Sequence, residues 1–110
     1  MARMRANGFS GDLEVDGGRV VIHPHKIQAK AAGTSAIAIP LSEITDFRYK
    51  EATRLVAGSA SFKVAADDVR VYGVDQPNHL TTQALKVTWQ RKSEDDFAAV
   101  RDAISAALTR

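Results

Sequence analysis

Hydrophobic and polar residues alternate with a period of two through most of the first ninety residues. Such alternation is typical of β-strands that bury one face and expose the other. Turn-forming residues separate the alternating segments, as at Asp16-Gly17-Gly18, where a tight turn is expected between two paired strands. The alternating segments are 9–16, 19–23, 36–41, 45–50, 60–64, 69–72 and 85–90, whereas residues 25–32 alternate weakly and also permit a helical turn. The pattern predicts about seven antiparallel strands.

The pattern changes to a helical period at the C-terminal end. Phe97, Val100, Ile104 and Leu108 form one apolar stripe in a segment rich in alanine, which predicts an amphipathic helix from Ser93 to about residue 108. Ser93 is the expected N-cap, with the acid three residues later completing a capping box. We expect the stripe to cover the apolar face of the sheet, since a free helix of this length is only marginally stable in water.

A chain of 110 residues has the size of a single domain. Residues 1–6 are basic and are expected to form a flexible tail before a domain spanning 7–110. The sequence has no cysteine, which excludes disulfides and cysteine-ligated zinc and is compatible with a reducing cytoplasm. It has neither a signal-peptide pattern near its start nor a run of about 18 apolar residues. A cytoplasmic protein is therefore predicted.

Several short motifs, in this order, resemble those of uncharacterised bacterial pleckstrin-homology-like (PH-like) domains, in particular an actinobacterial domain of unknown function. They are Asn7-Gly8-Phe9, residues 13–17, residues 39–44 and Arg54-Leu55-Val56-Ala57-Gly58. The resemblance implies an antiparallel barrel of about seven strands closed by one C-terminal helix. It implies no particular activity.

His23-Pro24-His25 is the most suggestive local motif for chemistry. Residues i and i+2 of a strand point the same way, so both imidazoles could meet one metal ion if His79 or a carboxylate supplied a third ligand. Two exposed histidines beside a proline that ends a strand are the favoured interpretation, and no metal site is predicted. The serines lack a nucleophile elbow and the glycines form no phosphate loop. We therefore expect a protein that is not an enzyme and has no cofactor.

The leading functional hypothesis is a non-catalytic scaffold that binds a protein or peptide, or a second copy of itself. An edge strand can accept an added strand, and small side chains and a proline mark residues 29–41 as such an edge. A loop rich in turn formers, residues 74–80, is the second part of this surface. The candidate contact residues are Ala29, Ala31, Ala36, Ala38, Pro40, Asp75, Asn78 and His79.

The alternative hypothesis is a peripheral protein that binds anionic membrane lipid. Arg48, Lys50, Lys63 and Arg70 are the outward residues of predicted strands, and neighbouring strands could align them in a basic stripe. A solvated outer face that protects the sheet from aggregation is the competing interpretation. Bases are dispersed along the chain and no aromatic platform is apparent, so nucleic-acid binding is not expected.

Overall fold

The part of the chain that the structure describes forms two antiparallel β-sheets and one C-terminal α-helix. The computed structural model describes residues 4–16, 18–25, 36–65 and 85–109. Within them, the first sheet has the strand order β1-β2-β3-β4 and the second has the order β5-β6-β7. The elements are β1 (Met4–Asn7), β2 (Gly11–Asp16), β3 (Arg19–Pro24), β4 (Ile37–Pro40), β5 (Ile44–Lys50), β6 (Gly58–Val64), β7 (Lys86–Trp89) and α1 (Glu94–Leu108), with 3-10 turns at Leu41–Glu43 and Arg91–Ser93.

The first sheet contains the predicted opening hairpin. β2 pairs with β3 in a register that places Leu13 opposite Ile22 and Val15 opposite Val20, and all four side chains are buried. Phe9, the first apolar residue of the predicted alternating segment 9–16, would share the buried face of Leu13 and Val15, but it is 70% exposed. Among the described strands, β4 lies at an edge of this sheet, as predicted for residues 36–41.

The N-terminal residues are part of the sheet. Met4–Asn7 forms β1, pairs with β2, and buries Ala6. The expectation of a flexible tail is therefore wrong for residues 4–6, because the alternation of apolar and polar residues already begins at Met4. The predicted strand at 69–72 lies outside the described residues, as does the ambiguous segment 25–32 except for His25.

The second sheet presents aromatic residues to the core. Phe47 of β5 lies opposite Phe62 of β6, and their rings stack with centroids 5.0 Å apart. Val87 and Trp89 of β7 are fully buried, as predicted. The two sheets meet where the Phe9 amide donates to the carbonyl oxygen of Thr88 at 2.8 Å. The described strands form two sheets, and a closed barrel is not seen among them.

Helix α1 packs its apolar stripe against the core. Phe97, Val100 and Ile104 are buried, and the Phe97 ring stacks on Trp89 with centroids 4.0 Å apart. Ser93 precedes the first helical residue as predicted, but its side chain makes no capping hydrogen bond, so the predicted capping box is wrong. A 3-10 turn directly before the helix replaces the extended N-cap geometry that such a box requires. Among the described residues, no helix is long and apolar enough to cross a membrane.

Candidate functional site

The outward side of the second sheet carries a cluster of basic side chains, which we call the basic face. It arises because β5, β6 and β7 each turn their apolar residues to the core, so that the alternate residues face outward. The residues of this face are Asp46, Arg48, Lys50, Ser59, Ser61, Lys63, Lys86 and Thr88.

The strand register sets the arrangement of these residues. Arg48 lies opposite Ser61, and Ser61 lies opposite Lys86, which makes one row across the three strands. Strands lie about 4.8 Å apart, so the Cα atoms of Arg48 and Lys86 are separated by about 10 Å with a serine between them. Lys50 lies opposite Ser59 in the next row. Bases thus flank a strip of small hydroxyl side chains.

The basic face has an excess of positive charge. Among the described residues, Asp46 is its one carboxylate, and it accepts a hydrogen bond from Arg48 Nε at 3.1 Å. Both partners are well exposed, so this ion pair contributes little to stability. Lys50, Lys63 and Lys86 are exposed. The face therefore has a net charge of about three positive units available to an anionic partner.

The predicted basic stripe is described in part. Arg48, Lys50 and Lys63 lie together on the basic face, whereas Arg70 lies outside the described residues. The predicted basic stripe did not include Lys86, although the alternation of residues 85–90 places its side chain outward. The register that places it beside Ser61 could not be read from the pattern.

The predicted edge surface is also described in part. Ala38 is half-buried and Pro40 is exposed on the edge strand β4, with Ala36 half-buried just before it. The remaining candidates lie outside the described residues: Ala29, Ala31, Asp75, Asn78 and His79.

The loop between β5 and β6, residues 51–57, projects apolar side chains next to the basic face. Leu55 is 95% exposed and Val56 is 45% exposed. Two shallow grooves flank this loop, and both are lined by Arg54 and Arg91; Lys92 lines one of them and Glu51 the other. The sequence pattern contains no signal that identifies this exposed apolar pair.

Glu94, the first residue of α1, fixes the base of that loop. Its Oε1 accepts hydrogen bonds from the Ala52 amide at 2.6 Å and from Trp89 Nε1 at 2.9 Å, and its Oε2 accepts one from the Tyr49 hydroxyl. Partial burial opposes ionisation of Glu94, but the three donors outweigh it, and its pKa lies below the ordinary value. Burial, together with the hydrogen bond to Glu94, raises the pKa of Tyr49. One carboxylate thus links β5, the loop, β7 and the helix.

A groove lies between β5 and the end of α1. It has a volume of about 320 Å³ and is lined by the apolar residues Ile44, Phe47 and Leu108 and by polar residues that include Thr45 and Ser105. β5 is an edge strand of the described sheet, so an extended segment could pair beside this groove.

The two histidines of the His-Pro-His motif pair separately with carboxylates. His23 Nε2 lies 2.7 Å from Glu14 Oε1, and His25 Nε2 lies 2.9 Å from Asp12 Oδ1. Burial raises the pKa of Asp12, but hydrogen bonds from Arg5 and His25 bring it below the ordinary value. Within the described part of the chain, no three histidine or carboxylate side chains converge as metal ligands. His79, the third ligand considered, lies outside it.

Comparisons of this chain with protein-family models, with curated proteins and with solved structures found no match.

Proposed function

We propose that this protein is a non-catalytic binding module that associates with anionic membrane surfaces through the basic face. The observation that supports this most strongly is the registered row of Arg48, Ser61 and Lys86, with further lysines in the adjacent rows. A flat basic sheet surface with small side chains between its bases allows several lipid phosphates to approach at once. Such a surface needs no deep pocket.

The geometry favours membrane association over peptide binding because the residues of the basic face lie together on three adjacent strands, β5, β6 and β7. Three of the four bases expected from the sequence lie there, and Lys86 adds a fourth.

The expected affinity is low. Each base near an anionic membrane contributes about 1 kcal/mol, so a net excess of three charges contributes about 3 kcal/mol. Attraction of this size is reversible and decays within about 10 Å at 0.1 M salt. The protein should therefore bind anionic vesicles at low ionic strength and dissociate as salt is added.

Co-sedimentation with vesicles tests the proposal. Phosphatidylglycerol-containing vesicles at low salt should bring down several times more protein than pure phosphatidylcholine vesicles, and about 0.5 M salt should abolish the difference. Equal sedimentation with both vesicle types at low salt would show that the function is not membrane association.

A second candidate, protein or peptide binding or self-association, is favoured by the groove between β5 and the end of α1. An extended segment could hydrogen-bond to the β5 edge while its side chains contact Phe47 and Leu108. Light scattering over a concentration series tests whether the protein self-associates. Thr45 is exposed and lines the groove, so Thr45→Arg is the variant that blocks it. A strict monomer at all concentrations would exclude self-association.

We also propose a PH-like architecture for the chain. Its support is the element order of a four-stranded antiparallel sheet, a three-stranded antiparallel sheet and a C-terminal helix. We further propose that the protein acts in the cytoplasm and without a cofactor.

A further inference from the structure

We infer that the β5–β6 loop inserts Leu55 and Val56 into the lipid interface, so that the protein docks with the loop end of its basic face against the membrane. This inference rests on the proposed membrane association and adds its orientation and its apolar contact. The loop is the turn of the same hairpin whose outward side carries Arg48, Lys50 and Lys63.

The exposure of the apolar pair is the first observation. Leu55 is 95% exposed and Val56 is 45% exposed at the end of a hairpin. Two projecting side chains are far too small a surface for a stable protein interface, which buries about 800 Å² on each partner. A lipid interface needs no complementary pocket, because acyl chains and headgroups rearrange around a single side chain.

The backbone of the loop is the second observation. The Thr53 hydroxyl oxygen accepts hydrogen bonds from the Leu55 amide at 3.3 Å and the Val56 amide at 3.1 Å, and the Thr53 amide donates to the Val56 carbonyl oxygen at 2.8 Å. Backbone groups that enter a bilayer without hydrogen-bond partners carry a large free-energy cost. Here the N–H groups of Leu55 and Val56 and the Val56 carbonyl oxygen are hydrogen-bonded within the loop, so the tip is suited to an environment poor in water.

The charge around the loop is the third observation. Arg54, Arg91 and Lys92 are exposed beside the apolar pair, and Glu51 is the one acid among the described residues that line the same grooves. Asp95 and Asp96 are also exposed, at the start of α1. The groove-lining residues remain net positive, which complements an anionic headgroup layer. Peripheral proteins combine apolar and basic contacts in this way because neither alone binds firmly.

The absence of cysteine from the sequence permits a site-specific test. Leu55→Cys places a single thiol at the tip, where the environment-sensitive fluorophore NBD can be attached. Ala106→Cys, at an exposed position of α1, is the matched control. It lies 12 residues after Glu94, or about 18 Å along the helix from the base of the loop. Both labelled proteins are mixed at low salt with phosphatidylglycerol-containing vesicles.

The NBD group at position 55 should shift its emission to shorter wavelength, brighten several-fold, and be quenched by nitroxide on the upper acyl chain. The emission of the NBD group at position 106 should be the same with vesicles as in buffer alone. Leu55→Ser combined with Val56→Ser should lower the vesicle partition coefficient about tenfold and leave its dependence on phosphatidylglycerol intact.

Three outcomes would overturn the inference. If the proteins sediment with anionic vesicles but the probe at position 55 stays in a water-like environment, loop insertion is wrong and the proposed membrane association stands. Equal blue shifts at positions 55 and 106 would show binding without the proposed orientation. If neither labelled nor unlabelled protein sediments with anionic vesicles, both proposals fail.

Discussion

Replacing Glu94 with alanine should destabilise the protein far more than its half-buried position at a helix start suggests. The substitution removes the acceptor for the Ala52 amide and for Trp89 Nε1, and both of these residues are buried. Each buried donor left without a partner costs about 1–3 kcal/mol. We expect a loss of about 3 kcal/mol in the free energy of unfolding, which lowers the midpoint temperature by about 12 °C for a chain of this size.

Thermal and urea unfolding followed by circular dichroism measures this loss, and Asp95→Ala is the matched control. Asp95 is also an acid in the first turn of α1 but is exposed, so its removal costs at most about 1 kcal/mol through the helix dipole. Glu94→Gln retains an acceptor oxygen for the two buried donors and should lie between the two variants. If Glu94→Ala and Asp95→Ala differed by less than about 0.5 kcal/mol, the role assigned to this carboxylate would be refuted.

Three further predictions concern packing, pH and the helix. Gly58→Ala should cost about 2 kcal/mol in urea unfolding, because a Cβ there would lie 2.5 Å from the Trp89 ring; Gly18→Ala, where a Cβ meets nothing within 4 Å, is the control and should be neutral. Folding lowers the pKa of Glu94 from 4.5, so the stabilisation by its carboxylate is present above pH 4.5 and is lost as the pH falls through the lower folded-state pKa. Unfolding measured at decreasing pH should show the difference in stability between wild type and Glu94→Gln closing below pH 4.5, and a constant difference would contradict this role of the carboxylate. Truncation before Ser93 should yield an aggregating chain, and a soluble, folded product in size-exclusion chromatography would contradict the role of the helix as the cover of the core.

Period-two alternation predicted the strands of the second sheet because each one buries mainly a single face. Phe47, Phe62 and Val87 face the core and the intervening bases face solvent, as expected from residue type alone. Phe9 departs from this pattern because it lies just outside β2, in the short connection from β1, where it is not bound by the pleat. The sequence pattern was therefore reliable within the strands of the second sheet, whereas in the first sheet Glu14 and Val21 are buried on the face expected to be polar.

The candidate site depended on contacts that no local pattern contains. The sequence indicates only that Glu94 is one of three acids in the first turn of α1, where acids suit the helix dipole. The groups that donate hydrogen bonds to its carboxylate belong to Tyr49, Ala52 and Trp89, which lie 45, 42 and 5 residues away in the sequence. Lys86 joins the basic face through the register of β6 with β7, and register is a property of strand pairing. Leu55 and Val56 appeared to be ordinary apolar residues before a turn, and their exposure followed only from the loop conformation that Thr53 maintains.

Vesicle partitioning of two variants with equal net charge tests the central claim most directly. Lys50→Gln combined with Lys86→Gln removes two positive charges from the basic face, and Arg19→Glu makes the same change of net charge at an exposed position of the first sheet. At about 1 kcal/mol for each base, the first variant should partition about 30-fold more weakly than wild type into phosphatidylglycerol-containing vesicles at low salt. Arg19→Glu should stay within about threefold of wild type by the same reasoning. Equal losses in the two variants would show that net charge alone governs binding and would contradict a specific role for the basic face.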